Sequence, residues 1–346
     1  MKPSQNRKSR RLRRRCRLPF QAVLWLAVAC AACFCFQARA EAFAPVIKEC
    51  EIGGAVWRID DLSDVDSLPD AGRSTMRRPE LLRGGLLLVN RQHPLPSDFS
   101  DADLVGVEQA GIQAQDEHVR LFPEALEALS LLLGDAEKLG EGYGDYIVRE
   151  GYRTMAYQTE LYQRMRENLS DRYDGDELTR QVEKLVMAPG TSEYQSGLAF
   201  RLDLYNAADP VTEAFMETEQ GRWVSERGWE YGVVPRFPTG AYPNDPWSDK
   251  SGRTGVEIQM NLYRYVGRAH AAVMRVMDFC LEEYVEFLKE HDYVRVYENG
   301  VLKYAVLRVA NDLGEQRFSF PTLSGAASYQ ASLDNDGGIV AAFAFE

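Results

Sequence analysis

The chain has 346 residues, an ordinary hydrophobic content of 45% and a formal net charge of −12, enough for one good-sized domain with an accessory piece. The first forty residues carry ten basic side chains, from Lys2 to Arg39, and no acid, so residues 41–346 hold 30 basic against 52 acidic residues, a net charge of −22. That balance argues against binding nucleic acid or another polyanion by bulk electrostatics.

In chain order, the basic stretch is followed by an uninterrupted apolar run from Ala22 to Phe36 and then by Ala38-Arg39-Ala40. A basic region, a short apolar region and small residues before a cut predict a signal peptide over 1–40. Fifteen apolar residues fall short of the roughly 20 that span a bilayer. An uncleaved signal anchor is the alternative, and only then is the membrane a partner. Both readings export the rest of the chain to the cell envelope or beyond. Of six cysteines, Cys50 and Cys280 lie outside this segment. In an oxidising compartment they either pair across a long loop or leave Cys280 as a buried thiol, and spacing does not choose.

Residues 41–83 mix acids, Gly, Ser and Pro and are expected to be a partly ordered lead-in. Residues 84–290 are expected to form the core domain. Its predicted elements are a strand at Leu86–Asn90, a helix from Pro123 to Gly140 and a short strand at Tyr146–Val148. Helices over 154–168 and 177–186, strands at Ala199–Leu204 and Ile258–Tyr265, and one long amphipathic helix over Ala269–Leu288 complete it. From 291 onward, the runs on either side of Asn299-Gly300 predict a β-hairpin within a small β appendage reaching residue 346.

Several motifs recur in one order. The chain reads Leu88-Val89-Asn90-Arg91-Gln92-His93-Pro94-Leu95-Pro96-Ser97-Asp98, then Gly151-Tyr152-Arg153-Thr154 with Gln158 after it. Ser192-Glu193-Tyr194-Gln195-Ser196-Gly197-Leu198-Ala199-Phe200-Arg201 follows, then Trp223 to Pro238, then Thr254-Gly255-Val256 and Arg264-Tyr265-Val266-Gly267. This series resembles the zinc D-alanyl-D-alanine carboxypeptidases (VanY-like, LAS-type peptidases) over about residues 84–288. The resemblance implies an α+β fold with helices packed on a small, mainly antiparallel sheet. It also implies a place in peptidoglycan metabolism, and Arg153 as a holder of the substrate peptide's carboxylate. In that family the Ser-x-His-x-x-Gly-x-Ala-x-Asp signature supplies two zinc ligands, and a later Glu and His supply the general base and the last ligand.

The same alignment places Tyr194, Arg201 and Leu262 at the three ligand positions and Gln259 at the base position. A catalytic zinc needs three protein ligands and one open position, and Gln259 does not take up a proton as a carboxylate does. The expectation is a chain without the family's zinc. Arg153, Gln158, Ser192, Tyr194 and Arg201 then stand as candidate binding residues for a peptidoglycan stem peptide or another peptide carboxylate. Arg201 has two readings. Its charge replaces that of the metal and holds an anionic peptide end, or it pairs with Glu193 or Asp203 and fills a dead site. Arg153 likewise has a reading as a structural ion pair. Each of His93, His118, His270 and His291 is expected to serve surface or packing roles, because no partner sits at ligand spacing. Three functions remain open: a degenerate carboxypeptidase that binds without cutting, an active D,D- or L,D-carboxypeptidase with a rearranged site, and an interaction protein of the envelope.

Overall fold

The structure, a computed structural model, describes residues 45–63, 70–140, 145–205, 215–241, 245–257, 261–311 and 316–346. The expected signal segment, 1–40, and the base position, Gln259, lie outside the described residues.

The chain begins with a hairpin of β1 (Val46–Ile52) and β2 (Ala55–Asp61). Then come β3 (Asp70–Arg77), a single turn α1 (Arg78–Leu81), and the short pair β4 (Val105–Gly106) and β5 (Arg120–Leu121). Helix α2 (Pro123–Ala136) takes Pro123 in its first turn and buries Ala125, Leu126, Leu129, Leu132 and Leu133 on one face. β6 (Tyr146–Glu150) leads into α3 (Met155–Leu169), whose first turn is capped by the Thr154 hydroxyl accepting from the Tyr157 N–H. After α4 (Gly175–Glu183) come β7 (Ala199–Leu204), α5 (Glu219–Arg227), β8 (Val233–Pro235), α6 (Ser251–Thr254) and β9 (Leu262–Tyr265). Helices α7 (Arg268–Met277) and α8 (Leu281–Glu290) precede β10 (Tyr293–Glu298), β11 (Val301–Ala310), β12 (Arg317–Leu323), β13 (Ser328–Leu333) and β14 (Gly338–Ala344).

A four-stranded antiparallel sheet, in the order β6-β7-β9-β8, forms one wall of the site. A six-stranded antiparallel sheet runs β1-β2-β10-β11-β14-β13. Helices α7 and α8 bury Val273, Val276, Leu281, Tyr284 and Leu288 against Ile59, Val294, Val296, Val306 and Val340 of that sheet. The architecture is the expected α+β fold with antiparallel sheets.

Three local expectations meet a different structure. Leu86 to Val89 are buried as the apolar run requires, yet they form no strand. Their backbone groups find other partners: the Leu86 N–H donates to Ser332 Oγ at 3.1 Å, and the Gly85 and Leu87 carbonyls each accept from Arg264 at 3.0 Å. The long helix over 269–288 is two helices. Asp278 adopts a left-handed φ of 58° and ends α7, and its carboxylate accepts from the Ser248 N–H at 3.1 Å. A new cap then forms at Cys280, whose N–H donates to Glu283 at 3.0 Å. Of the two readings left open for the cysteines, the structure holds the second, with Cys50 and Cys280 both free and Cys280 buried. Finally, the lead-in supplies β1 and β2 to the same sheet as the C-terminal strands, with β2 paired directly to β10.

The hairpin at Asn299-Gly300 forms as expected, both residues taking positive φ, 48° and 80°. The lead-in is anchored by Trp57, 6% exposed, whose ring meets Trp229 edge-on at 5.1 Å. Replacing Trp57 with Ala is expected to cost about 3–5 kcal/mol of stability. Urea unfolding measures this, and a loss below about 1 kcal/mol would mean the lead-in is dispensable to the core.

Candidate functional site

The site is built on one row across three strands. Glu150 at the end of β6 lies opposite Arg201 of β7, and Arg201 lies opposite Leu262 of β9. Tyr194 arrives from the turn that precedes β7, a 3₁₀ turn over Glu193–Ser196. Gly197 closes that turn at φ 69°, and a Cβ there would press on Leu104 and Phe122 at 2.9 Å. Arg153 follows β6 and is tied to the turn by its N–H, which donates to the Tyr194 carbonyl at 3.1 Å. Gly151 between them lets the chain pass the Arg120 carbonyl, which a Cβ would meet at 2.6 Å.

These residues enclose a cavity of about 280 Å³. Glu150, Arg153, Ser192, Tyr194, Arg201 and Leu262 line it, with an apolar wall from Leu161, Leu185, Val186, Met187 and Phe237. The three positions expected from the sequence signature, Tyr194, Arg201 and Leu262, therefore converge in space. Gln158 does not join them. It is fully buried beneath Arg153, with its carbonyl oxygen accepting from the guanidinium at 3.1 Å and its amide donating to the Met187 carbonyl at 2.7 Å. It orients Arg153 and stays out of the cavity.

Arg153 is held by a carboxylate of the chain itself. Its Nε and one terminal nitrogen donate to the two oxygens of Glu150 at 2.6 and 2.7 Å, a bidentate pair. The guanidinium also lies over the Tyr194 ring, 4.0 Å from its centroid. Burial first, then the charge of Glu150, pushes the Tyr194 phenol well above its ordinary value, and the phenol hydrogen-bonds Glu150. Sequence reasoning missed Glu150. The signal was there, since an acid stands where the Ser-Gly-Tyr-Arg-Ser segment has its first serine, three residues before Arg153.

Arg201 differs from the arginines around it. Its side chain is 42% exposed and its closest carboxylate is Asp203, at 3.9 Å. Asp203 also lies 3.6 Å from Arg149. The Nε of Arg201 is buried and has no hydrogen-bond partner among the described residues. Glu193, the other partner the sequence allowed, is taken elsewhere.

Beneath the cavity lies a buried ion network. One Glu193 oxygen accepts from Arg236 Nε at 2.5 Å and the other from Arg264. Arg236 continues to Glu282 with two bonds of 2.7 and 2.9 Å, and Asn90 donates to Glu282 at 3.2 Å. Burial alone would raise the Glu282 carboxyl, but the Arg236 guanidinium beside it holds it below its ordinary value. The histidines sit away from the cavity. His270 is buried, its Nδ1 2.9 Å from the Tyr284 hydroxyl, and burial pushes it down to about 3. His93 lies against Asn90 and Asp336, and His291 against Asp61. Among the described residues no group of three His, Cys, Asp or Glu is placed to hold a metal ion.

The fold and the pocket on a β6-β7-β9 row define an α+β protein with a candidate ligand site carried by its four-stranded sheet. Comparison with known proteins gives the family. The VanY D-alanyl-D-alanine carboxypeptidase pattern matches residues 118–250. A D-alanyl-D-alanine carboxypeptidase of Enterococcus faecium is 29% identical over 231 residues, which cover 65% of this chain and 65% of that enzyme. One from Enterococcus faecalis is 30% identical over 201 residues, covering 58% of this chain and 65% of that enzyme. The match thus spans less than two thirds of either relative. The crystal structure of the vancomycin-resistance D,D-dipeptidase VanXYg, in complex with a D-Ala-D-Ala phosphinate analog, superposes with a TM-score of 0.59 at 22% identity, covering 79% of this chain and 98% of that one. The chain belongs to the VanY D-alanyl-D-alanine carboxypeptidase family, a family of peptidoglycan metabolism.

Two outcomes follow from the ion network. Glu193→Gln leaves two buried guanidinium groups short of charge, and is expected to cost about 3–5 kcal/mol in denaturant unfolding. A cost below about 1 kcal/mol would show the network to be incidental. For Glu282 the folded carboxyl is the stronger acid. Its contribution is therefore present above the unfolded value of 4.5 and is lost as pH falls through the lower folded value. The melting temperature of the natural protein should drop below about pH 4.5 more steeply than that of Glu282→Gln, and parallel curves would refute the assignment.

Proposed function

We propose that this chain is an exported family member that holds the carboxylate end of a peptide in the pocket without hydrolysing it. Export rests on the basic and apolar N-terminal sequence. Loss of hydrolysis rests on the chemistry of the donor set. Zinc is bound by thiolate, imidazole or carboxylate. The three positions that converge here offer a phenol held protonated by burial and by Glu150, a guanidinium cation, and an isobutyl group. Leu262 packs with Tyr194, Ala199, Phe237 and Val256 in an apolar cluster. This set does not fit a zinc ion, and no metal-assisted step is derived from it.

The observation that carries the binding reading is the state of Arg201. Arg153, Arg236 and Arg264 each have a carboxylate within hydrogen-bond distance. Arg201 has none among the described residues, Asp203 standing off at 3.9 Å, and it lines the pocket with its outer face open to solvent. A peptide carboxylate entering the pocket would find a guanidinium with donors to spare. The relatives named above act on peptides ending in D-alanyl-D-alanine, so a stem peptide of that kind is the proposed ligand. Arg153 is a second, latent carboxylate site, closed by Glu150.

The test is D-alanine release and equilibrium binding with a stem peptide ending in D-Ala-D-Ala, with zinc present. The natural protein is expected to bind the peptide and release no D-alanine. Arg201→Ala should weaken binding at least 10-fold, since hydrogen bonds to charged groups are worth about 1.5–3 kcal/mol. Glu150→Ser should tighten it by freeing Arg153. Zinc-dependent turnover by the natural protein would overturn the reading, and so would binding that ignores Arg201.

A further inference from the structure

A second cavity, of about 640 Å³, opens between α2, the start of α7 and the six-stranded sheet. Its volume falls in the range of roughly 300–1,000 Å³ typical of ligand pockets. We propose that it is a binding site for a neutral saccharide, separate from the peptide pocket and independent of how that pocket is read.

The first ground is a set of aromatic rings fixed in place before any ligand arrives. Tyr329 is 43% exposed, yet its ring packs edge-on to Phe320 at 5.8 Å and its hydroxyl shares a 2.6 Å hydrogen bond with Ser74. Tyr231 donates its hydroxyl to Asp135 at 2.8 Å and leans on Trp223, with centroids 6.4 Å apart. Tyr304, half-buried, lines the same cavity. Rigid rings with one accessible face suit the C–H face of a sugar, and their fixed orientation lowers the entropy lost on binding.

The second ground is a polar lining of both signs that includes one unsatisfied carboxylate oxygen. Glu124 lines the cavity and has a buried carboxylate oxygen, Oε2, without a hydrogen-bond partner among the described residues. Arg268, exposed, lines the same cavity, and its charge reaches Asp135, Tyr265 and Tyr304. Lys303 and Glu298 neutralise each other at 3.4 Å. An anionic ligand meets Glu124, Glu127 and the chain's overall −12. A cationic ligand meets Arg268. A purely apolar ligand leaves the Glu124 oxygen without a donor, which costs free energy. Hydroxyl and acetamido groups donate to Glu124 and accept from Arg268 while remaining neutral, and a saccharide joins them to a C–H face that stacks on the rings.

The test is calorimetric titration of the full chain with tri-N-acetylchitotriose, with cellotriose, and with a sugar-free D-Ala-D-Ala peptide. Saturable binding of at least one sugar is expected below about 1 mM. Glu124→Gln, which keeps the side chain's shape, and Tyr329→Ala should each weaken it at least 5-fold, while Arg201→Ala leaves it unchanged. A preference for the acetamido sugar over the plain glucan would show that the N-acetyl group is read. The proposal fails if neither sugar binds below about 10 mM, if Glu124→Gln and Tyr329→Ala both bind as the natural protein does, or if only the peptide responds to these two substitutions.

Discussion

Four buried charges hold the site together. Glu193, Arg264, Arg236 and Glu282 come from the signature turn, from β9, from the segment after β8 and from α8. Taking such groups out of water is costly unless each finds partners. Here each carboxylate oxygen of Glu193 meets its own guanidinium, and the remaining Arg264 nitrogens reach the carbonyls of Tyr265, Gly85 and Leu87. The network therefore fixes three things at once: the turn that presents Tyr194, the strand that presents Leu262, and the buried opening segment beneath them. None of these bonds uses the side chains of Tyr194, Arg201 or Leu262. The ion pairs that hold the frame therefore lie one layer below positions 194, 201 and 262.

That division explains what was legible in the sequence. Periodicity located α2, β7 and the Asn299-Gly300 hairpin, because burial of one face decides each of them. The motif order brought Tyr194, Arg201 and Leu262 to one pocket, because the spacing places them on neighbouring strands and the turn between. Leu86 to Val89 misled because an apolar run says only that a segment is buried. Its hydrogen bonds went to an arginine side chain from 177 residues away, which no local pattern records. The break at Asp278 misled for the opposite reason. The apolar stripe continues across it, and a tertiary cap on Ser248 makes the left-handed turn worthwhile. The lead-in, read as partly ordered, gains its order from pairing with β10, more than 200 residues later.

Glu150 and Arg201 set the character of the pocket together. The row across β6, β7 and β9 places a carboxylate, a guanidinium and an aliphatic side chain side by side, with Arg153 drawn onto the carboxylate. Glu150 is taken up by Arg153, and Glu193 in the lining by Arg236 and Arg264, so Arg201 is the lining charge without a hydrogen-bonded carboxylate among the described residues, inside a chain whose net charge is −12. On the proposed reading, the long-range field of the protein repels anions, whereas Arg201 attracts them over a few ångströms. Salt screens exposed charges beyond roughly 10 Å, so the two effects act on different ligands. A polyanion feels the whole surface and is turned away. A short peptide with a single terminal carboxylate feels chiefly Arg201 once it reaches the mouth, and a cavity of about 280 Å³ admits little more than such an end. Under the proposed reading the local charge and the global charge thus select the same thing, one carboxylate on a small, otherwise uncharged terminus.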